Sequence, residues 1–241
     1  MDTYKVMTFS EAVKGNAYPG RGIVVGETPD GANAVIAYFI MGRSENSRNR
    51  VFVKKNGAIY TEPFDISKLE DPSLIIYAAV RSFENHLIVT NGNQTDTIYE
   101  GLVKGTGFHQ ALKSRRFEPD APNLTPRISA DLAFDDKGSF EYSMSILKSA
   151  DAEGTACNRF GYDYAPLPGL GHFIHTYMCD GNPLPTFSGE PERIAVPDDI
   201  DQFTDEIWNA LDENNKISLY VRYTSLITGE YEDRLINKHT K

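Results

Sequence analysis

The chain is poor in the residues from which disulfide-linked, metal-binding and membrane-spanning proteins are built. Only two of its 241 residues are cysteines, Cys157 and Cys179, whereas a disulfide scaffold has more cysteines in a shorter chain. Its cysteines and histidines show no zinc-site spacing, and no apolar run approaches the ~20 residues of a membrane span. Residues Met1 to Lys5 lack a signal-peptide pattern. These absences predict a soluble, cytoplasmic protein with free thiols, no metal site and no membrane contact.

Several motifs of covalent and nucleotide-dependent catalysis are also missing. The sequence contains no GxSxG, no HExxH, no phosphate-binding P-loop and no dinucleotide fingerprint. Asp2 follows Met1, so no Ser, Thr or Cys stands where an N-terminal nucleophile would lie. If the chain is an enzyme, its catalysis is therefore expected to depend on substrate positioning and proton transfer.

Cations are scarce relative to anions. Twenty-four Lys and Arg stand against 34 Asp and Glu, which gives a formal net charge of -10. This balance argues against nonspecific binding of nucleic acid or membrane surfaces, because both need a basic patch. A local cluster of cations in such a chain instead suggests a small anionic ligand.

Such a cluster occupies residues 42–50, here called the arginine segment. It reads Gly-Arg-Ser-Glu-Asn-Ser-Arg-Asn-Arg, with three arginines against one glutamate. The segment is too polar for a buried strand, and the guanidinium fork of Arg can donate two parallel hydrogen bonds to a phosphate or carboxylate. Its composition is typical of an anion site and equally of a solvated hairpin loop.

Alternating and β-branched segments predict a protein dominated by strands. Turns at 28–31 and 56–57 predict hairpins, and apolar residues with the helical period predict a helix from Asp198 to Leu211. Another helix is expected to begin near Thr97, capped by Thr95 or Asp96. The predicted strands are 20–27, 34–41, 50–55, 58–62, 74–80, 86–90, 128–134, 139–147, 172–179, 216–223 and 231–236. Few helices between groups of strands indicate an α+β fold of two stacked sheets flanked by helices, in one domain spanning residues 1–241.

Three further segments carry candidate site residues. In Tyr18-Pro-Gly-Arg21-Gly, the glycines allow the backbone either to approach a ligand or to form a tight turn. The junction 90–96 joins a strand to a helix, and its amides suit either a ligand or a helix cap. Glu118 lies close in sequence to Arg127 and is either a general base or an ion-pair partner.

Five segments, taken in order, carry a family resemblance. They are Tyr18-Pro-Gly-Arg21, Tyr38…Gly-Arg43-Ser44…Arg48-Asn49-Arg50, Asp71-Pro72…Tyr77, Asn91-Gly92…Thr95-Asp96-Thr97-Ile98 and Glu118…Thr125-Pro126-Arg127-Ile128. In this order the chain resembles the IMP cyclohydrolase family of archaeal type, with its bacterial relatives. The resemblance covers the chain from Tyr18 to Tyr177 and rests on the set of motifs, since no single one is decisive.

The resemblance implies a four-layer αββα fold like that of N-terminal-nucleophile hydrolases, without their nucleophile. It also implies an activity: ring closure of formamidoimidazole carboxamide ribonucleotide (FAICAR) to inosine monophosphate (IMP) with loss of water, the final step of de novo purine biosynthesis. No organic cofactor is expected, and the partner is a purine ribonucleotide substrate. The oligomeric state is left open, a homo-oligomer included.

Under this resemblance the reaction assigns roles to the candidate residues. The carboxamide nitrogen is a poor nucleophile that gains from proton removal and proximity, and the formyl oxygen becomes an oxyanion that needs a donor. Proton transfer is expected from Glu118, Tyr77 and Tyr177, with Arg127 orienting Glu118. Phosphate and oxyanion binding are assigned to Arg21, Arg43, Ser44, Arg48, Asn49 and Arg50, and the base pocket to Asn91, Gly92 and Asp96.

The chain departs from the family pattern in places. Gln94 stands where the family tends to carry His, and Phe117 where it tends to carry Tyr, so His172 or His175 is the candidate for a missing proton donor. These histidines are three apart on a predicted strand, which places them on opposite faces and disfavours a joint metal site. The C-terminal third has no clear counterpart in the archaeal members. Two other functions remain open: an amide hydrolase on the same fold, and a purine-nucleotide-binding protein without turnover.

Overall fold

The computed structural model describes residues 4–69 and 72–239, and strands dominate it. The strands are β1 (Arg21–Glu27), β2 (Asn33–Met41), β3 (Val51–Lys55), β4 (Ala58–Glu62), β5 (Tyr77–Phe83), β6 (His86–Thr90), β7 (Arg127–Phe134), β8 (Phe140–Ser149), β9 (Cys157–Tyr164), β10 (Leu170–His175), β11 (Glu192–Ala195), β12 (Lys216–Ser225) and β13 (Tyr231–Asn237). The helices are α1 (Phe9–Ala12), α2 (Glu45–Arg48), α3 (Pro72–Ile75), α4 (Gln94–Val103), α5 (Phe108–Leu112) and α6 (Ile200–Ala210), with a 3-10 turn at Ile66–Lys68. The predicted α+β class is confirmed.

The strands form two antiparallel sheets. Sheet A has the order β11-β10-β1-β2-β12-β13, and sheet B has the order β3-β4-β5-β6-β7-β8-β9. Sheet B is a meander, because each of its strands pairs with its neighbour in the sequence. Sheet A combines distant parts of the chain, since β2 pairs along its length with β12 and thereby receives the C-terminal hairpin.

The main core lies between the two sheets. Ile23 and Tyr38 of sheet A belong to one apolar cluster with Val89 and Ile128 of sheet B. Tyr38 also stacks on Phe52 of sheet B, with ring centroids 5.4 Å apart. Each large apolar side chain buried in this way contributes about 1.5–3 kcal/mol, so the interface between the sheets holds the molecule together.

Helices cover the outer faces of both sheets. On sheet A, Phe9 of α1 and Phe203 of α6 pack against Phe39. On sheet B, Ile98 of α4 packs against Ile88, in a smaller cluster that also includes α5. Helix α6 begins at Asp199, whose carboxylate accepts a hydrogen bond from the N–H of Gln202, as is typical of an N-cap.

The hairpin predicted at Asn56-Gly57 is confirmed. Strands β3 and β4 pair on either side of it, and Asn56 and Gly57 have φ values of 51° and 75°. Positive φ at both central residues is what a type I′ turn requires, and this turn has the twist that matches the flanking strands.

Several predicted boundaries are wrong. Residues 72–75 form α3, so β5 begins at Tyr77 instead of Leu74; Pro72 can start a helix because its missing N–H would have no partner there. Helix α4 begins at Gln94, ahead of the start predicted near Thr97, and β10 ends at His175 instead of Cys179.

Strands β9 and β11 were not predicted. Strand β9 lies at the edge of sheet B and is exposed along most of its length, so its residues lack the apolar pattern of a half-buried strand. Strand β11 has four residues and is too short to show such a pattern. None of the helices in the described part of the chain is long and apolar enough to cross a membrane.

Candidate active site

The arginine segment folds at the end of β2 as the short helix α2. The hydroxyl of Ser44 accepts a hydrogen bond from the N–H of Ser47, and the hydroxyl of Ser47 accepts one from the N–H of Ser44. This reciprocal pair is a capping box. A Cβ at Gly42 would lie 2.7 Å from the carbonyl group of Ser47, so only glycine leaves room for the turn. The segment therefore forms a capped turn of helix instead of a hairpin loop.

Helical periodicity divides the side chains of this segment between two sides. Ser44 and Ser47 are one turn apart and face a cavity together with Asn46. Glu45 and Arg48 are also one turn apart and line a different cavity on the other side. The positions of the cationic residues along the sequence therefore do not by themselves show which of them reach the same ligand.

The first of these cavities, about 260 Å³ in volume, lies between α2 and the loop that follows Phe117. Its lining residues are Tyr18, Arg21, Arg43, Ser44, Asn46, Ser47, Arg50, Glu118, Asp120, Asn123, Thr125, Tyr177 and Leu184. Six of the predicted site residues meet here: Arg21, Arg43, Ser44, Arg50, Glu118 and Tyr177. They come from separate parts of the chain, which makes this cavity the candidate active site.

Two buried arginines and one buried carboxylate form its inner wall. Arg21, Arg50 and Glu118 are 6%, 4% and 3% exposed. Nη2 of Arg21 lies 3.9 Å from Oε2 of Glu118, a long ion pair. Within the described part of the chain, Nε of Arg21 and both Nε and Nη1 of Arg50 have no hydrogen-bond partner. Buried donors are normally paired, so these N–H groups are suited to an anionic ligand.

The environment of Glu118 favours a proton-transfer role. Burial raises the pKa of Glu118 above its usual value, while the cations of Arg21, Arg127 and Arg50 oppose this rise. A carboxylate with a raised pKa is a stronger base than an ordinary surface carboxylate. Burial lowers the pKa of Arg50 and the nearby Arg21 adds to this, but a guanidinium stays protonated at neutral pH.

Tyr177 stands at one end of a chain of hydrogen bonds. Its hydroxyl lies 2.5 Å from Oγ1 of Thr125, and that Oγ1 donates to the carboxylate of Asp120. Because the Thr125 proton goes to the carboxylate, the Tyr177 O–H donates to Thr125. Burial raises the pKa of Tyr177 and keeps it neutral. Tyr177 therefore presents oxygen lone pairs to the cavity and is a weaker base candidate than Glu118.

The glycine before Arg21 serves the packing of this tyrosine. Gly20 has a φ of 82°, and a Cβ there would overlap Oγ1 of Thr176 and lie 2.5 Å from the ring of Tyr177. The Tyr177 ring stacks on Tyr18, with centroids 5.8 Å apart. The close approach that Gly20 permits is thus to a neighbouring side chain of the protein itself.

Arg127 lies behind Glu118 and is held by the junction between β6 and α4. Its Nη1 donates to Oε1 of Gln94 at 2.7 Å, and Nε2 of Gln94 donates to Oδ1 of Asn91 at 2.9 Å. A Cβ at Gly92 would overlap Nη1 of Arg127 and lie 3.4 Å from Oε1 of Glu118. Asn91 and Gly92 therefore support Arg127 and Glu118 from behind; neither lines the cavity as the base-pocket prediction requires.

Tyr77 and Arg43 occupy opposite ends of the site. Tyr77 is buried behind the inner wall, and its hydroxyl lies 2.9 Å from that of Tyr38. Arg43 stands at the mouth and is one-third exposed. It pairs with Asp180, and its guanidinium carbon lies 5.1 Å from the ring centroid of Tyr18. Arg43 can therefore reach a ligand at the entrance, whereas Tyr77 does not line the cavity.

Three predicted ligand residues lie outside the cavity. Arg48 donates to the carbonyl of Gly42 at 3.1 Å, and Asn49 exchanges hydrogen bonds with the backbone of Asp65 at 2.7 and 2.8 Å. Asp96 is 61% exposed and pairs with Arg81 on the surface. The assignment of Arg48 and Asn49 to the anion site and that of Asp96 to the base pocket are therefore corrected, because these side chains point away from the cavity.

Neither histidine proposed as a proton donor lines the cavity. Nδ1 of His172 lies within hydrogen-bond distance of the hydroxyl of Tyr142, at 2.6 Å, and its ring stacks on Tyr164. Nδ1 of His175 donates to the carbonyl of Tyr177 at 2.8 Å. Both side chains extend from β10 and are buried outside the cavity. No group of three or more His, Cys, Asp or Glu in residues 4–69 and 72–239 could hold a metal ion.

Seven cavity residues were not assigned to the site from the sequence: Tyr18, Asn46, Ser47, Asp120, Asn123, Thr125 and Leu184. Ser47 could have been found, because it stands one helical turn from Ser44. Leu184 carries no signal, since it reaches the cavity only through the folding of the loop after β10.

Comparison with known proteins agrees with the resemblance. A model of the family described as "IMP cyclohydrolase-like protein" matches residues 18–230. The chain is 32% identical over 185 residues to an IMP cyclohydrolase of Methanopyrus kandleri, an alignment that covers 70% of this chain and 89% of that protein. It is 30% identical over 167 residues to an IMP cyclohydrolase of Methanococcus aeolicus, covering 67% and 75%.

The family match includes every residue of the cavity and continues to residue 230. The family match therefore extends through most of the C-terminal third, whereas the alignments with the two archaeal relatives cover 70% and 67% of this chain. Strand β12 lies in that third and pairs with β2 in the middle of sheet A. The chain belongs to the IMP cyclohydrolase-like protein family.

Proposed function

We propose that this protein is an IMP cyclohydrolase, which closes the purine ring of FAICAR to give IMP and water. One observation carries the proposal: a buried carboxylate, Glu118, faces a cavity beside two buried arginines with unpaired N–H groups. A base beside anion-binding donors is what the reaction of a phosphorylated substrate with a poor nitrogen nucleophile needs. The relatives named IMP cyclohydrolase support the same substrate, a purine ribonucleotide.

The reaction assigns Glu118 the role of general base. Glu118 takes a proton from the carboxamide NH₂ as the nitrogen attacks the formyl carbon, and the formyl oxygen becomes an oxyanion. Protonation of this oxygen gives a hydroxyl group on a tetrahedral carbon. The hydroxyl then leaves with a second proton as water while the formamide nitrogen loses its proton, which forms the final double bond of the ring. In this scheme Glu118 returns the carboxamide proton to the departing oxygen, and the formamide N–H supplies the second proton of the water.

The arginines are assigned by their distance from this base. Arg21 lies beside Glu118, so we assign it to the developing oxyanion. Arg50, Arg43 and the hydroxyls of Ser44 and Ser47 lie on or next to the arginine segment, and we assign them to the phosphate. Arg127 orients Glu118, and Tyr77 and Tyr177 complete the hydrogen-bonding surroundings. No organic cofactor takes part in this scheme.

The finer fold assignment is likewise a proposal. We propose a four-layer αββα sandwich of the N-terminal-nucleophile-hydrolase type, in a single domain spanning residues 1–241. The packing of α1 and α6 on the outside of sheet A, and of α4 and α5 on the outside of sheet B, supports this layer order. Purine biosynthesis in the cytoplasm is the setting that this function predicts.

The test is a spectrophotometric ring-closure assay with FAICAR. We expect the purified protein to form IMP and the Glu118→Gln variant to lose at least about 100-fold in kcat, the scale of general-base catalysis. Glu141→Gln is the matched control, because Glu141 is an exposed glutamate on β8 and its loss should leave kcat unchanged.

Two outcomes would count against the proposed function, and a third would count against the base assignment alone. Folded protein that forms no IMP but cleaves the substrate amide would indicate a hydrolase. Folded protein that binds purine nucleotide with no turnover would indicate a binding protein. Full activity of Glu118→Gln would leave the function standing and remove Glu118 as the base.

A further inference from the structure

A buried arginine, Arg222, lies towards the other end of sheet A from the candidate active site. In the register of sheet A, Ser218 of β12 stands opposite Ile40, which in turn stands opposite Arg21. Arg222 comes four residues after Ser218 on the same strand. At roughly 3.3 Å per residue, it lies about 13 Å further along the sheet than Arg21. Arg222 therefore belongs to a different surface of the molecule.

The charge of Arg222 has no direct counterion in the described part of the chain. The side chain is 8% exposed, and no ion pair with a carboxylate within 4 Å is present. Its Nε donates to Oγ1 of Thr224 at 3.0 Å, and its guanidinium carbon lies 3.7 Å from the ring centroid of Tyr231. A buried cation normally has an anionic partner, so this arrangement calls for an explanation.

The nearest candidate for a partner is engaged elsewhere. Asp233 stands directly opposite Arg222 in the pairing of β12 with β13. Its Oδ2, however, accepts from Nζ of Lys54 at 2.6 Å and from the hydroxyl of Tyr220 at 3.0 Å. Asp233 therefore acts on Arg222 only through longer-range attraction, and the hydroxyl of Tyr220 approaches the guanidinium, so no carboxylate of the described residues is bonded directly to it.

Two cavities meet at Ser82 and Arg222, and their charges differ. The first cavity, about 370 Å³ in volume, is lined by three carboxylates, those of Glu84, Asp135 and Asp136. The other, about 450 Å³ and here called the Arg222 cleft, is lined by Arg81 and Arg222 and by no carboxylate among the described residues. An anion is repelled by the first and attracted by the second.

The Arg222 cleft also offers flat apolar surface. Tyr60 and Tyr231 line it, and phenol rings pack well against a planar group. Arg81 pairs with Asp96, but that carboxylate is 61% exposed, and exposed pairs contribute little, so a ligand anion can compete for Arg81. The volume of the cleft is within the range of small-molecule sites.

From this combination we propose that the Arg222 cleft is a second binding site, which takes a small phosphate-bearing molecule with a flat ring. The phosphate contacts Arg222 and Arg81, and the ring lies against Tyr60 and Tyr231. Guanidinium groups suit phosphate because their planar fork donates parallel hydrogen bonds. This site is independent of the catalytic assignment, since it shares no lining residue with the candidate active site.

The test uses phenyl phosphate as the probe, with calorimetric and ³¹P NMR titration of the full chain. We expect two binding sites in the unaltered protein. Arg222→Lys keeps the positive charge but loses the planar fork of the guanidinium. It should weaken binding in the Arg222 cleft at least 10-fold while ring closure of FAICAR stays unchanged. Arg50→Lys is the matched control: it should weaken binding in the candidate active site and leave binding in the Arg222 cleft unchanged. Inorganic phosphate should bind the Arg222 cleft more weakly than the probe, because it has no ring.

Tyr231→Ala provides a second variant on a half-exposed ring, in case Arg222→Lys does not fold. It should weaken the same site as Arg222→Lys and leave binding of inorganic phosphate there nearly unchanged. The proposal is overturned if the unaltered protein has a single site that Arg50→Lys removes, or if Tyr231→Ala binds the probe as tightly as the unaltered chain. Since binding is measured without turnover, these results do not depend on whether the protein closes FAICAR.

Discussion

Arg48 and Arg50 are near neighbours in the sequence but differ in their surroundings. Arg50 is buried in the candidate active site with unpaired N–H groups, whereas Arg48 is exposed and bonded to the carbonyl of Gly42. At the scale of single residues, the function of an arginine is therefore set by which way its side chain leaves the backbone. This pair also supplies a matched test of the phosphate assignment.

We expect Arg50→Gln to raise KM for FAICAR by about 10- to 100-fold. A hydrogen bond to a charged group contributes roughly 1.5–3 kcal/mol, and Arg50 has two donor atoms free for the ligand. Arg48→Gln should change KM less than about 2-fold, because Arg48 lies outside the cavity. Steady-state kinetics of both variants decide the point, and equal effects of the two would contradict the assignment.

The pH dependence of kcat/KM should report Glu118. The base must be ionised, so kcat/KM should fall as the pH falls through the pKa of Glu118, which burial raises above its ordinary value of 4.5. Arg50 lowers this pKa by attraction, so Arg50→Gln should shift the acid limb to higher pH. Rate profiles of the unaltered protein, Arg50→Gln and Arg48→Gln would show this. If the acid limb of Arg50→Gln stays at the same pH or moves to lower pH, Glu118 is not the group that limits kcat/KM.

At the scale of elements, the junction between β6 and α4 acts as a support for the site. The side chains of Asn91 and Gln94 are fully buried and bonded to each other, and Gln94 holds Arg127. The sequence suggests that such a junction presents its polar groups to a ligand. Here they are used inside the protein, where each buried polar group needs a partner.

We expect Gln94→Leu to lower kcat at least 10-fold with a smaller change in KM. The leucine leaves Nη1 of Arg127 unpaired, so Arg127 no longer orients Glu118. Loss of the buried hydrogen bonds should also reduce the free energy of unfolding by about 1–3 kcal/mol. Kinetics and denaturant unfolding measure the two effects. Gln110→Leu is the control on the exposed side of α5, and it should change kcat and the free energy of unfolding only slightly. A loss of stability with unchanged kcat would reduce Gln94 to a structural role.

At the scale of the whole molecule, the contact between the two sheets encloses a histidine that stays neutral. His172 of sheet A lies among Tyr142 and Tyr164 of sheet B, and burial lowers its pKa to about 4. In the unfolded chain the same histidine has a pKa near 6.5. Between these values the unfolded chain binds a proton that the folded protein does not, so stability falls as the pH drops from 6.5 to 4.

We expect this single group to remove on the order of 2 kcal/mol of stability between pH 7 and pH 4, allowing for partial hydration of the ring. His172→Gln cannot take up this proton, so its free energy of unfolding should fall less steeply over the same range. Denaturant unfolding at several pH values gives the comparison. The carboxylates titrate in both proteins, so their contribution cancels when the two free energies of unfolding are subtracted. Parallel curves for the two proteins would show that His172 does not titrate in this way.

The sequence by itself determined the fold class and the kind of site. Alternating and β-branched segments marked most strands, Asn56-Gly57 marked its hairpin, and the amphipathic pattern of α6 marked its helix, because these features are local. The arginine segment and Glu118 were also evident as candidates, because a concentration of guanidinium groups and a carboxylate near an arginine can be read from residue types alone. The order of five motifs identified the family, which the family match confirms.

Only the tertiary structure decided which candidates share a cavity. Arg21, Arg50, Glu118 and Tyr177 meet because β1, the arginine segment and the loops after α5 and β10 converge in space, and no local pattern encodes that convergence. Arg48 and Asn49 directly precede Arg50 in the chain, yet they line a different cavity. The burial that raises the pKa of Glu118, and that leaves Arg222 without a counterion, likewise depends on how the two sheets pack. Local sequence specifies the groups, and packing between distant segments specifies their neighbours, their hydration and hence their chemistry.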